Sequence, residues 1–111
     1  MIVDTGKDDI AAKIASAYTT VKVGNGGDAT AASQDALDSI VSTKTSITPS
    51  RIGSHLVWSV DFLGSELGNE GVSELGIFDG SDTLLSRVTF TNTGVVASAD
   101  TVTFTIRVEV A

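Results

Sequence analysis

His55 is the one imidazole in the chain, and Ser54, Ser59 and Asp61 lie close to it. Serine nucleophiles need a base in contact with the hydroxyl and a carboxylate behind that base. The spacing of His55, Ser59 and Asp61 instead sets all three in a line along one face of a strand. An exposed or interfacial histidine is the simpler reading. Glu66, Glu70 and Glu74 offer carboxylates for glycoside hydrolysis, but nothing around them marks a cleft. Val23-Gly24-Asn25-Gly26-Gly27-Asp28 follows a strand pattern, and such a loop can turn backbone N–H groups toward a phosphate. It lacks the dinucleotide fingerprint and a following lysine, and Asp28 has the wrong sign, so it reads as a surface turn. Asp79-Gly80-Ser81-Asp82, joined by Asp61 or Asp100, gathers oxygens of the kind a calcium ion takes. The twelve-residue calcium loop is missing, and Asp in a hairpin turn is explained by turn chemistry. The expectation is a protein without catalysis, cofactor or metal.

Composition agrees with that expectation. The chain has 111 residues, no cysteine, and 7 basic against 14 acidic side chains, a net charge of −7. One domain spanning 1–111 is expected at this length. Without cysteine there is no disulfide framework, thiolate metal site or thiol nucleophile. The negative field repels phosphate backbones, so nucleic acid is not an expected partner. No apolar run is long enough to span a bilayer, which argues against a membrane partner. The first residues, MIVDTGKDD, show no basic segment followed by an apolar stretch, so no signal peptide is expected. Threonine is abundant at 14 residues, and Thr with Val suits half-buried pleated surfaces. The acidic excess comes mostly from Asp, as a high-salt habitat or ordinary solubility would both produce.

The elements that must carry these residues follow from periodicity. Lys7 to Ala17 reads as a helix, with Asp8 and Asp9 near its start and Ile10, Ala11, Ile14, Ala17 and Tyr18 forming an apolar stripe. Val21 to Val23 reads as a short strand that the glycine-rich turn ends. Ser33 is placed to cap a short second helix carrying Ala36, Leu37 and Ile40. Val41 to Ile47 reads as a strand stopped by Pro49. In His55 to Leu63, Leu56, Trp58, Val60 and Phe62 alternate with smaller or polar residues. Gly64 to Glu70 is a polar loop. Val72 to Asp79 and Thr83 to Thr91 make a hairpin around the Asp79–Asp82 turn, with Leu84, Val88 and Phe90 on one face and Arg87 on the other. Val102, Phe104, Ile106, Val108 and Val110 alternate with Thr101, Thr103, Thr105, Arg107 and Glu109, giving one dry and one wet face. The fold expected is mainly β: an antiparallel β-sandwich or sheet with an N-terminal α-helix and one further short helix.

Three late segments resemble small structural proteins of tailed bacterial and archaeal viruses. They are Val72-Ser73-Glu74-Leu75-Gly76-Ile77-Phe78-Asp79, Thr83-Leu84-Leu85-Ser86-Arg87-Val88-Thr89-Phe90 and Ala99-Asp100-Thr101-Val102-Thr103-Phe104-Thr105-Ile106. Those proteins show T-E-x-G-(I/L)-F-(N/D), T-L-L-A-R-x-x-F and A-D-T-(L/V)-x-(V/F)-T segments. Here Ser73 stands for the usual Thr and Ser86 for Ala. Upstream, Val21-Lys22-Val23-Gly24-Asn25-Gly26 through Ala31-Ala32-Ser33-Gln34-Asp35-Ala36-Leu37 is similar to their I-A-V-G-T-G-T-T-A … D-T-A-L segment, in the same order.

The resemblance implies a virion component of the tail-fibre or capsid-associated type, made in the host cytoplasm and without catalysis. Its partners would be other copies of itself and capsid or tail proteins of the same particle. Head decoration, turret, tail-fibre and baseplate positions all remain open. Glu74 and Arg87 recur in the pattern and are expected to form a cross-strand charge pair on the hairpin, worth under about 1 kcal/mol if exposed. The contact between copies is expected around Trp58 and the threonines of the last strand, Thr101, Thr103 and Thr105. The alternative is a carbohydrate or host-surface binding module, using the Gly24–Asp28 and Gly64–Glu70 loops with Tyr18, Trp58 and His55 for stacking.

Overall fold

The longest alternating segments build the longest strands. The structure, a computed structural model, describes residues 1–27, 30–31 and 33–111. Among the described residues one helix, α1 (Asp4–Ala17), precedes seven strands: β1 (Thr20–Gly24), β2 (Ile40–Lys44), β3 (Ser50–Ile52), β4 (His55–Leu63), β5 (Glu74–Phe78), β6 (Leu84–Thr89) and β7 (Thr101–Glu109). A 3-10 turn covers Gly64–Leu67. The strands form two antiparallel sheets, a four-stranded one in the order β2-β1-β5-β6 and a three-stranded one in the order β3-β4-β7. The protein is therefore mainly β, with an N-terminal helix.

The two sheets face each other across one core. The small sheet contributes Leu56, Trp58, Val60, Phe62 and Ile106, and the large sheet Val21, Val23, Leu75 and Ile77. In β4 the even-numbered residues are buried and most odd ones exposed, which is the period that a sheet with one dry face demands. α1 lies against β3 and β4 and turns Ala11, Ile14 and Ala15 to the core, with Tyr18 packed just after its last turn. It begins at Asp4, a turn earlier than Lys7, with that carboxylate in the first turn. Its end is tied down by Trp58: the indole Nε1–H donates to the Tyr18 carbonyl at 2.8 Å. A carbonyl at a helix end needs such a partner, and a buried indole needs an acceptor.

Several expectations are corrected. No second helix forms at Ser33. Gln34 N–H bonds to Ala31 C=O in a lone turn, and the N–H groups of Asp38 and Ser39 are drawn to a side-chain carboxylate instead of a helical ladder. Ile40 then opens β2, half exposed. That strand stops at Lys44 rather than Ile47, and Ser46 takes a left-handed φ of 59°. The short β3 beyond Pro49 has no periodic signal in the sequence. Gly64 to Glu70 is not wholly a polar loop, since its 3-10 turn buries Leu67. The faces of β6 also differ from expectation. A register shift between Ile77 and Phe78 sets Leu84 opposite Phe78 and Arg87 opposite Gly76. Leu84 and Arg87 thus share a face, and Arg87 is buried while Val88 is exposed.

Candidate functional site

The large sheet is covered on both faces, and the second cover is where its charges meet. Glu74 opens β5 and Arg87 lies in β6. Glu74 is paired with Thr89 and Gly76 with Arg87, so the two charged residues are diagonal neighbours on the face away from the core. Described residues between Asn25 and Ser39 lie over that face: Gly26, Thr30, Gln34, Asp38 and Ser39 reach the charged pair, and Leu37 packs on Gly76 beside Phe78 and Leu84. Beneath them both charged side chains are fully buried, with Arg87 Nε 2.9 Å from Glu74 Oε1. The expected exposed pair is therefore corrected to a buried one.

Glu74 gathers four donors. Oε1 accepts from Arg87 Nε at 2.9 Å and Asp38 N–H at 3.0 Å. Oε2 accepts from the N–H groups of Gly26 and Ser39, each at 2.9 Å. A carboxylate has about four lone-pair sites, so this one is saturated. Arg87 spreads further: its Nη2 meets Asp38 Oδ2 at 3.1 Å, and its Nη1 meets Thr30 Oγ1 at 3.1 Å and Gln34 Oε1 at 3.4 Å. Ser73 closes the seam, donating from its backbone to Gly24 C=O and from its hydroxyl to Gly26 C=O.

The glycines are what let backbone approach this carboxylate. A Cβ on Gly26 would stand 2.3 Å from Asp38 Cβ and 2.5 Å from Glu74 Oε2, and one on Gly24 would stand 2.1 Å from Ser39 C=O. The glycine-rich loop turns one backbone N–H, that of Gly26, to an anion, and the anion is Glu74 of the same chain. Asp28, the last residue of that motif, lies outside the described residues. Burial raises the Glu74 pKa, but the N–H groups of Ser39 and Asp38, the Arg87 guanidinium and the Gly26 N–H outweigh it and hold the carboxyl below its usual range. A saturated carboxylate with a lowered pKa is a poor proton shuttle and a good clamp.

The other candidate residues stand apart. His55 faces Glu109 across the ladder, with Nε2 3.7 Å from Oε1, while Asp61 faces Thr103 and accepts its hydroxyl at 2.6 Å. Ser59 lies between them opposite Thr105, and nothing brings His55 onto it. Glu66 accepts from Leu63 N–H at 2.8 Å and pairs with Lys44 at 3.1 Å. Those two contacts, the backbone one first, keep its carboxyl below the usual range. Asp79 Oδ1 accepts the N–H groups of Ser81 and Thr83, both at 2.9 Å, and Asp82 pairs with Lys22 at 2.9 Å. Turn chemistry and an ion pair thus occupy Asp79 and Asp82, two of the carboxylates considered for calcium.

Trp58 cannot serve as a contact between copies as expected: it is fully buried inside the subunit, which also removes it as a sugar-stacking platform. Thr101, Thr103 and Thr105 lie on the exposed outer face of β7. At one end of this face a groove of about 500 Å³ runs beside Ile52, His55, Val57 and Val108, with Arg107 and Glu109 at its wall. No helix among the described residues is long and apolar enough to cross a membrane. No protein-family model matches the chain, and no curated protein matches it.

Proposed function

We propose that this chain is a structural component of a tailed-virus particle that assembles as a homo-oligomer and does no catalysis. The observation that carries the reading is a division within the molecule. The densest set of charged and polar groups is consumed in closing the subunit, around Glu74 and Arg87. On the other sheet β7, one of two nine-residue strands, keeps a face with three threonines open. Glu74 and Arg87 also belong to the segments that resemble virion proteins, and a clamp that fixes shape suits a part repeated many times on a particle. Its partners under this reading are copies of itself and capsid or tail proteins of the same virion. Its location is the virion, as a head decoration, turret, tail-fibre or baseplate part.

With a net charge of −7 on every copy, assembly works against like-charge repulsion that salt screens. Light scattering over a salt series tests the reading. A mass that grows with protein concentration, and more readily at high salt, is expected. A strict monomer at every salt concentration, with no binding to the other virion proteins, would overturn it. The groove beside His55 favours one second reading, a carbohydrate or host-surface binding module. Glycan binding that is lost on changing groove residues, in a chain that stays monomeric, would select it instead.

A further inference from the structure

The inference concerns the open edge of β7, and it rests on the reading of the chain as a self-assembling part. β7 ends the three-stranded sheet, with β4 on one side. Two bonds just beyond the ends of their shared register reveal its phase: Gly64 N–H donates to Asp100 C=O at 2.8 Å, and Val110 N–H donates to Ser54 C=O at 3.0 Å. In an antiparallel ladder the bonded pairs recur every second residue. Even-numbered residues of β7 therefore bond to β4. The N–H and C=O groups of Thr101, Thr103, Thr105, Arg107 and Glu109 point away from it, toward the open side.

Exposed edges template further pairing unless they are guarded. The other edges of this molecule are guarded. β3 has three residues, and β2 has five and ends on Lys44. β6 carries a register shift, and the segment over the outer face of its sheet engages Arg87. β7 has nine residues and a ladder without a register shift, and it contains no proline or lysine. Its core-side residues Val102, Phe104 and Val108 are only half covered, whereas Leu56, Trp58 and Phe62 beside them on β4 are fully buried.

We infer that β7 pairs antiparallel with β7 of a second copy, about a twofold axis at Thr105. In that register Thr105 faces Thr105, Thr103 faces Arg107 and Thr101 faces Glu109. All five outward residues of each strand are then bonded, about ten backbone hydrogen bonds in all. Centring on 107 would oppose Arg107 to itself, and centring on 109 would oppose the two Glu109 carboxylates. Centring on 103 leaves Arg107 and Glu109 beyond the partner strand.

The Thr105 register also matches charge. It stands the second copy's Arg107 beside Thr103, whose hydroxyl already holds Asp61. The guanidinium and the Asp61 carboxylate are then two strand spacings apart, about 10 Å between strand axes, within an arginine's reach. Twofold symmetry repeats the match. On the core side Val102 meets Val108 and Phe104 meets Ile106, covering the half-buried edge and joining two three-stranded sheets into one.

The test uses the absence of cysteine. Residues facing each other in a bonded pair have Cα atoms about 5.5 Å apart, within the range a disulfide spans. Under oxidation, Thr105→Cys is expected to give a covalent dimer and Thr101→Cys alone none. An equal mixture of Thr101→Cys and Glu109→Cys chains is expected to give the mixed dimer. Thr105→Pro removes an N–H that β4 does not use, so it is expected to fold, by circular dichroism, and to stay monomeric by light scattering. An oligomer that Thr105→Cys does not crosslink overturns this register, and one that Thr105→Pro leaves intact overturns this edge, while self-assembly stands. A wild-type chain that is monomeric at every salt concentration overturns both.

Discussion

The outer faces of the two sheets begin from the same alternation of apolar and polar residues and end in opposite states. On the large sheet, the polar set includes a glutamate and an arginine. A glycine-bearing segment folds over them, and its backbone supplies three of the four donors that satisfy the carboxylate. On the small sheet Thr101, Thr103 and Thr105 share the outer face with His55, Ser59, Asp61, Arg107 and Glu109, and the face stays open to solvent. Threonine is adequately hydrated and needs no cover, whereas a charge under cover needs every lone pair engaged. The difference shows that a charge pair under cover can organise a whole layer, while solvated polar side chains leave their face available for a neighbour.

The largest effect should come from breaking the covered face. Glu74→Ala takes from Arg87 its fully buried partner, leaving it Asp38, and strands three backbone donors, and removing one partner of a buried pair costs about 3–5 kcal/mol. Urea denaturation should show that loss for Glu74→Ala and a comparable one for Arg87→Ala, with strong coupling in the double mutant. Loss of under about 1 kcal/mol, the ordinary value for an exposed pair, would mean that the segment does not cover them.

Gly26→Ala probes the same contact through space alone. Its Cβ would press on Asp38 and on Glu74 Oε2, and overpacking of this kind costs about 1–3 kcal/mol. A fall in Tm with an unchanged β-sheet circular dichroism spectrum is the expected result.

Acid should separate the two faces without a mutation at the open one. The folded pKa of Glu74 lies below its ordinary value. Its contribution to stability is therefore complete above about pH 4.3, the unfolded glutamate value. It is lost as pH falls through the lower folded value. Glu66, also lowered, adds in the same direction. Stability measured from pH 6 downward should drop in the wild type, and Glu74→Gln should be less stable at neutral pH with a shallower acid slope. Equal slopes would remove Glu74 as the source.

The smallest effect belongs to the open face. Asp61→Ala deletes the Thr103 hydroxyl contact, and both groups remain solvated, so the monomer should lose well under about 1 kcal/mol. A larger loss in dilute monomer would show that this face is covered after all.

The two long strands of the small sheet were legible in the amino-acid sequence, and the short β3 was not. His55–Leu63 and Thr101–Glu109 follow strict alternation, and their dry and wet faces come out as expected. The period suffices there because water covers one face and core the other. The large sheet was less legible, for the same reason inverted. β5 is buried on both faces, so alternation says nothing about which face meets the core. Arg87 reads as solvent-facing because charge usually is, and only the register with Gly76 and the overlying 25–39 segment place it inside. That segment reads as a capped helix because Ala36, Leu37 and Ile40 fit the period. Its N–H groups go instead to Glu74, 35 and 36 residues away in the chain. The pair of glycines next to a strand, with Glu74 and Arg87 on neighbouring strands, was the available signal. Trp58 was misplaced because a large aromatic on an alternating strand fits a core or an interface equally well.

Amide hydrogen exchange, at a concentration where the chain is monomeric, tests the central division most directly. The N–H groups of Gly26, Asp38 and Ser39 lie outside regular structure but are held by a buried carboxylate. Those of Thr103 and Thr105 lie within a strand but point to its open edge. The expected order is reversed from secondary structure: the loop amides exchange slowly and the strand amides fast, and Glu74→Gln releases the loop amides. Fast exchange at Gly26, Asp38 and Ser39 in the wild type, with protection at Thr103 and Thr105, would contradict the account.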